Sequence, residues 1–160
     1  MLRTVALLTP PFASLTYAVP EWLAGVAWCP GLRVAVPLGR GVLRIGVVLG
    51  DGSPLPEGVT VRPMLWPLEK EPLLPSGHME MVRQLALRQA VTPGQILAMV
   101  LPAGLRVTQM RLRTMEAQGK AQIRLLKDLP KLPVEVLAAL GEAWMRGGAE
   151  LLGPREDAAA

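Results

Sequence analysis

The 160-residue sequence contains one cysteine, one histidine and few aromatic residues, and each scarcity excludes a class of protein. Cys29 has no second thiol with which to form an intrachain disulfide, which fits a reducing, cytoplasmic setting. Together with the single histidine, His78, it cannot supply the four Cys/His ligands of a structural zinc site. We therefore expect no metal site. No uninterrupted run of about 18 apolar residues is present, so we also expect no membrane as a partner.

The sequence signatures of common catalytic sites are also missing. We find no phosphate-binding GxxxxGK[ST] loop, and no GxGxxG, GxSxG, HExxH or CxxC pattern. The acidic residues are few and scattered, and no pair of them suggests acid/base catalysis. We therefore expect that this chain is not an enzyme and uses no cofactor.

Positive charge, by contrast, is plentiful and unevenly distributed. The 17 basic and 13 acidic side chains give a net charge of +4. Residues 106–131 hold seven basic and two acidic side chains, a net +5, and residues 1–50 carry a net +3. A polyanion such as nucleic acid would be attracted to these regions. The simpler alternative is a solvated charged surface.

The first 70 residues predict β-structure. Five short segments rich in valine, leucine and isoleucine are bounded by glycine, proline, aspartate or serine, at 3–8, 14–19, 32–38, 42–50 and 61–66. Gly39-Arg40-Gly41 predicts a hairpin turn between the third and fourth segments. Alternation in the fourth segment places Arg44 and Gly46 opposite its apolar residues. We expect an α+β protein with a small curled antiparallel sheet or partly open barrel of about five strands.

Helices are predicted after Pro75. Ser76 is the expected cap of a first helix that ends near residue 90, and Thr92 with Pro93 is the expected start of a second. The basic stretch 105–131 fits either strands or helices. A further helix is predicted over residues 134–146, before two glycines.

The predicted hairpin is the best candidate for a binding site. Glycine lets a backbone come close to a phosphate, and the arginines at positions 40 and 44 could neutralise that phosphate. Tyr17, Trp22 and Trp28 could stack on bases, although core packing is the simpler role for the tryptophans.

Several segments occur in an order that resembles a known family. They are VALLTPPFASLTYAVPE, PGLRVAVPLGRGVLRIGVVLG, VRPMLWPLEKEPLLP and QAVTPGQILAMVLPAGLR. Over residues 2–106 this order is similar to the N-terminus of the PriA family of primosomal replication-restart helicases. The resemblance implies a 3′-DNA-end-binding domain at residues 1–104 and a partial winged-helix-like segment at 105–152, which favours a strand at 107–115. Residues 153–160 are expected to form a disordered tail.

The resemblance also implies which residues form the DNA-end pocket. Carried over by position, its places hold Leu15, Thr16, Gly39 and Arg62. In the family an aromatic and an acid at the first two places contact the terminal base and its 3′-hydroxyl. Leu15 offers only apolar contact, and Thr16 can accept only a neutral hydrogen bond. Tyr17 is expected to support the pocket.

These observations predict the DNA-binding module of a PriA-like restart protein, which binds forked or single-strand-ended DNA and lacks the helicase part. Arg40, Arg44 and Arg62 would contact phosphates. A second DNA contact would involve Arg111 and Arg113, joined by Lys120 and Arg124. The resemblance adds single-stranded DNA-binding protein and other primosome proteins as expected partners. The alternative is a β-barrel module that binds a replication protein rather than DNA, favoured by the 51% hydrophobic fraction and eight methionines.

Overall fold

The computed structural model describes residues 1–116 and 118–154, which form two compact units. The first unit comprises Met1–Pro20 and Ala27–Arg106, and the second comprises Glu21–Val26 and the residues from Val107 onward. Antiparallel strands and helices are both present, so the predicted α+β class is confirmed. The domain division predicted at residue 104 stays a prediction. Most of the predicted tail, residues 155–160, lies outside the described residues.

An antiparallel sheet of five strands forms the centre of the first unit, in the order β2-β1-β4-β3-β5. The strands are β1 (Leu2–Leu7), β2 (Ser14–Ala18), β3 (Arg33–Leu38), β4 (Val42–Asp51) and β5 (Trp66–Pro67). Leu38 pairs with Val42, which confirms the predicted hairpin. Its connecting glycines, Gly39 and Gly41, have φ angles of 62° and 70°, a left-handed conformation that glycine adopts at little cost.

The fifth strand is much shorter than the predicted segment 61–66. The reason is that the chain changes hydrogen-bonding partners along residues 62–68, which we call the bridging segment. Its first half bonds to β2, because the Ala18 N–H donates to the Arg62 carbonyl and the Met64 N–H donates to the Ala18 carbonyl, both at 2.9 Å. Its second half bonds to β3. The bridging segment thus links two strands from opposite sides of the sheet and leaves a curled, unclosed barrel.

The centre of β4 departs from the predicted alternation. Residues 45–48 are all buried, so this part of the strand has no polar face. Gly46 allows β1 to approach closely, since a Cβ at this position would lie 2.4 Å from Val5 Cγ1 and 2.9 Å from the Ala6 carbonyl oxygen. The sheet therefore contributes both of its faces to the core at this point.

Two helices follow the bridging segment, α1 (Ser76–Gln89) and α2 (Pro93–Val100). The predicted start of α2 is confirmed by a capping box, in which the Gln95 N–H donates to Thr92 Oγ1 at 3.2 Å and the Thr92 N–H donates to Gln95 Oε1 at 2.9 Å. The predicted cap of α1 is wrong. Pro75 occupies the N-cap position, and Ser76 is already helical and makes no capping bond.

The second unit contains a three-stranded antiparallel sheet in the order β7-β6-β8. Its strands are β6 (Arg111–Met115), β7 (Ala121–Leu125) and β8 (Ala149–Leu152), and its helix is α3 (Val134–Met145). The strand alternative for the basic stretch is thus confirmed over these ranges. A 3-10 turn at Glu21–Leu23 packs on α3 so closely that a Cβ at Gly141 would lie 2.3 Å from the Trp22 carbonyl oxygen.

The two helix starts allow a paired stability test. We expect Thr92→Ala to lower the free energy of unfolding by about 1 kcal/mol, because it removes a capping hydrogen bond. Ser76→Ala is the matched control and should change the free energy of unfolding by less than about 0.5 kcal/mol, because its hydroxyl caps nothing. Urea unfolding followed by circular dichroism measures both. Equal losses in the two variants would contradict the capping assignment.

Candidate nucleic-acid interface

The tip of the β3–β4 hairpin is open to solvent. Gly39, Arg40 and Gly41 are all exposed. A Cβ built on either glycine would meet no atom within 4 Å. The space beside the tip is therefore free, so a ligand strand could come close to this backbone.

One edge of β3 presents a row of carbonyl groups that leads to this tip. Carbonyls of alternate residues point to the same edge of a strand. The Ala35 carbonyl accepts from the Leu65 N–H at 2.8 Å, and the Pro37 carbonyl accepts from the Tyr17 hydroxyl at 2.9 Å. The Gly39 carbonyl accepts from Arg62 Nη1. The carbonyls of these alternate residues thus accept from a backbone amide, a phenol and a guanidinium. Their hydrogen bonds bring Tyr17 and Arg62 to the hairpin.

The three consecutive predicted residues on β2 do not act as a unit. Leu15 pairs with Val5 and Thr16 pairs with Thr4, so successive side chains point to opposite faces. Tyr17 is buried, with 4% of its surface exposed, and shares a face with Leu15. Thr16 is on the other face, where its Cγ2 would lie 2.9 Å from a Cβ at Gly52. The structure therefore groups Tyr17 with Gly39 and Arg62 and places Thr16 elsewhere.

Arg44 lies on β4 and pairs with Val36. The next residue along β3 is Pro37, whose carbonyl accepts from the Tyr17 hydroxyl. The strand register puts Arg44 on the same face of the sheet as Leu15 and Tyr17. Its side chain is half-buried, and Nη1 donates to the Leu43 carbonyl at 3.3 Å. Its buried Nε has no hydrogen-bond partner among the described residues. A buried donor without an acceptor costs free energy, and an acceptor group of a ligand would relieve that cost.

Charge compensation differs sharply between the arginines of the first unit. Three of them are paired with carboxylates, in the pairs Arg3–Asp51, Arg33–Glu69 and Arg83–Glu80. Within residues 1–116 and 118–154, no carboxylate pairs with Arg40, Arg44 or Arg62. Positive charge at the hairpin is therefore left for an external anion.

Tyr17 reports on the electrostatics of this site. Its burial raises the pKa of the phenol above the ordinary value of 10.0, and the nearby Arg62 guanidinium opposes part of that rise. The hydroxyl is therefore protonated at neutral pH and remains a donor to the Pro37 carbonyl.

The predicted second contact has a less favourable arrangement. Arg111 and Arg113 share one face of β6, but Arg113 forms an ion pair with Glu150 on β8. Arg124 pairs with Leu112 and therefore lies on the opposite face of that sheet. Lys120 is exposed before β7. The four basic residues thus do not form one continuous unpaired surface.

Other predicted features are placed plainly by the structure. Trp28 is buried, which agrees with the packing role, and Trp22 belongs to the second unit. Among the residues that the structure describes, no three His, Cys, Asp or Glu side chains cluster to hold a metal ion. In that same part of the chain, every helix is too short or too polar to cross a membrane. Sequence reasoning missed the Pro37 carbonyl, for which no local pattern exists.

The single tyrosine provides a direct test of the site's electrostatics. Ultraviolet titration of the folded chain should give a tyrosinate midpoint above 10.0, and the urea-unfolded chain should give the ordinary value. Since the folded pKa is the higher one, the stability due to Tyr17 is complete below pH 10 and is lost as pH rises through the folded pKa. Arg62→Gln should raise the midpoint further. A midpoint that this change lowers would contradict the assigned proximity.

Comparison with known proteins gives the family of the first unit. The family model for the 3′-DNA-binding domain of PriA matches residues 4–102, a range that contains the five-stranded sheet from Thr4 onward and both helices α1 and α2. A search of curated proteins gave no match. The matched range covers more than half of the sequence and confirms the resemblance found in its segments. The chain therefore belongs to the family of PriA 3′-DNA-binding domains.

Proposed function

We propose that this chain recognises a strand end at forked or single-strand-ended DNA and binds it at the β3–β4 hairpin. The observation that carries the proposal is the set of three arginines, Arg40, Arg44 and Arg62, which lack carboxylate partners among the described residues. Arg40 lies in the hairpin tip, Arg62 bonds the Gly39 carbonyl, and Arg44 follows on β4. The glycines of the tip leave room for a DNA backbone. Guanidinium groups bind phosphate through paired hydrogen bonds and charge.

Each part of the site has a distinct role in this proposal. Arg40 and Arg62 are exposed and would contact phosphates. Arg44 would also contact a phosphate, from its half-buried position on β4. Tyr17 is a positioning residue, because its hydroxyl is committed to the Pro37 carbonyl next to the tip. Leu15 would give apolar contact to a terminal base. This module binds DNA without catalysing a reaction.

A role in replication restart would also determine where this module acts and which proteins it meets. The module would act in the cytoplasm beside a helicase part that these residues do not include, with single-stranded DNA-binding protein and other primosome proteins as partners. Arg111 would add a second, weaker DNA contact in the second unit, since Arg113 is already paired with Glu150.

A protein-binding role is the second candidate, and one observation favours it. The face of β6 and β7 that carries Arg111 also exposes three apolar side chains, those of Met115, Ile123 and Leu125, which are 59%, 47% and 41% exposed. Exposed apolar patches often mark protein interfaces. A pull-down with this chain would test it. If a replication protein is still captured after nuclease treatment, and the chain does not shift forked DNA in a gel, protein binding is favoured over DNA binding.

Fluorescence anisotropy with forked DNA tests the DNA-binding proposal. The logarithm of affinity should fall with the logarithm of salt concentration with a slope of about −2, as expected if three arginines contact single-strand phosphates. Arg40→Gln should weaken binding at least about threefold and reduce the slope by about 0.7. Arg88→Gln is the matched control, because Arg88 is an exposed arginine on a different element, α1, and the variant removes the same charge.

A glycine pair separates charge from backbone shape at the tip. Gly39→Glu should weaken binding more than Gly39→Asn, since asparagine tolerates a φ of 62° and adds no charge. Equal affinity of the wild type, Gly39→Glu and Arg40→Gln proteins would remove the hairpin from the DNA site.

A further inference from the structure

Strand β7 is bonded to another strand along only one of its edges. It stands at the end of the order β7-β6-β8 in the sheet that the structure describes for the second unit. Its register with β6 continues to Leu126, whose N–H donates to the Met110 carbonyl at 2.9 Å. Hydrogen-bonded pairs alternate in an antiparallel ladder, so the even-numbered residues of β7 bond to β6. The backbone groups that point away from β6 are those of Ala121, Ile123 and Leu125.

These three residues form what we call the open edge of β7. All three are exposed. Among the described residues, no backbone hydrogen bond reaches their N–H or C=O groups. A second polypeptide strand could satisfy both kinds of group, because it supplies acceptors as well as donors. The sugar-phosphate backbone of DNA supplies acceptors but no donors, so it would leave the carbonyls unpaired.

Basic side chains accompany the open edge. Residues 120–127 contain Lys120, Arg124 and Lys127 and no acidic residue. In the part of the chain that the structure describes, none of the three has an ion-pair partner. Two copies of this edge would bring like charges together, which opposes pairing of the chain with itself. A strand with acidic side chains would be attracted.

The side chains of β7 indicate how such a strand would alternate. Ile123 and Leu125 project from one face of the sheet, while Gln122 and Arg124 share the other face with the buried Leu112. Side chains that lie opposite each other on neighbouring strands interact. A strand bonded at the open edge would therefore place apolar side chains beside Ile123 and Leu125, and acidic side chains beside Arg124.

We propose that the open edge of β7 binds an extended acidic segment of a partner protein as an additional β-strand. The three N–H and three C=O groups of the edge would bond to the backbone of that segment. Apolar residues of the segment would cover Ile123 and Leu125, and its carboxylates would pair with the basic side chains. The inference develops the protein-binding candidate and does not depend on DNA binding at the β3–β4 hairpin.

Fluorescence anisotropy of the full chain with labelled heptapeptides tests this proposal. One peptide alternates valine and glutamate, and a second alternates valine and lysine. Two further valine–glutamate peptides are N-methylated, one at its valine amides, which would face β7, and one at its glutamate amides, which would point away. We expect the unmodified valine–glutamate peptide to bind at least about tenfold more tightly than the lysine peptide and the valine-methylated peptide. The glutamate-methylated peptide should bind like the unmodified one.

Variants of the chain assign the binding to β7. Arg124→Gln should weaken binding of the valine–glutamate peptide about twofold to fivefold, as expected for one surface ion pair. Arg88→Gln removes the same charge from α1 and should change nothing. Ile123→Pro should weaken binding about tenfold, because it removes an N–H from the open edge, where a strand tolerates proline.

Hydrogen exchange of the wild-type chain gives a second measurement, which does not depend on how the proline variant folds. The valine–glutamate peptide should slow amide exchange at Ala121, Ile123 and Leu125. Exchange at Gln122 and Arg124 should change little, because their amides already bond to β6.

The outcomes also distinguish this inference from DNA binding. Equal affinity for the glutamate and lysine peptides, or for the two N-methylated peptides, would overturn the inference and leave DNA binding at the hairpin intact. A dimer of the chain that Ile123→Pro dissociates would assign the edge to a second copy instead. Weaker binding of forked DNA to Lys120→Gln and Arg124→Gln, with no binding of the acidic peptide, would assign these cations to DNA. Failure to bind forked DNA, with the acidic peptide bound as expected, would overturn the proposed function and support this inference.

Discussion

The change of partner along the bridging segment is the interaction on which the candidate site depends. Residues 62–64 bond to β2, and residues 65–68 bond to β3. Pro63 and Pro67 have no N–H to donate, so neither can extend a regular ladder with both neighbours. This crossing curls the sheet and carries Arg62 to the hairpin tip, where its guanidinium bonds the Gly39 carbonyl. Without it, Arg62 would be an ordinary surface arginine in a loop.

The hydrogen bonds along the β3 edge both hold the fold together and position the positive charge of Arg62. Each carbonyl from Arg33 to Gly39 that faces this edge has a donor, first from the backbone of the bridging segment and then from Tyr17 and Arg62. The fold thereby places a donor on each of these carbonyls, and Arg62 keeps further N–H groups for a ligand. The other arginines of the sheet region show the contrast, since Arg3 and Arg33 are neutralised by Asp51 and Glu69.

Local chemistry explains which parts could be predicted from the sequence. The Gly39–Gly41 turn and the Thr92 cap depend on neighbouring residues only, and both were predictable. The short β5 was not, because its partners are set by tertiary pairing. β8 was missed because it is a four-residue strand without a β-branched side chain, formed by pairing with β6.

The candidate site shows the same division. Gly39, Arg40 and Arg62 could be proposed from composition and family resemblance, and the hydrogen bond that joins Arg62 to Gly39 gives that grouping a physical basis. The separation of Leu15 from Thr16 follows from strand alternation and was accessible in principle. The bond between Tyr17 and Pro37 joins residues 20 positions apart and has no local signature.

The most direct test of the central claim is a titration of the isotopically labelled chain with a 3′-ended DNA strand, followed by two-dimensional amide NMR. If the bridging segment and the hairpin together form the DNA site, the largest shift changes should occur at the amides of residues 39–41 and at Arg62. Shift changes confined to β6 and β7, with residues 39–41 and Arg62 unaffected, would contradict the account.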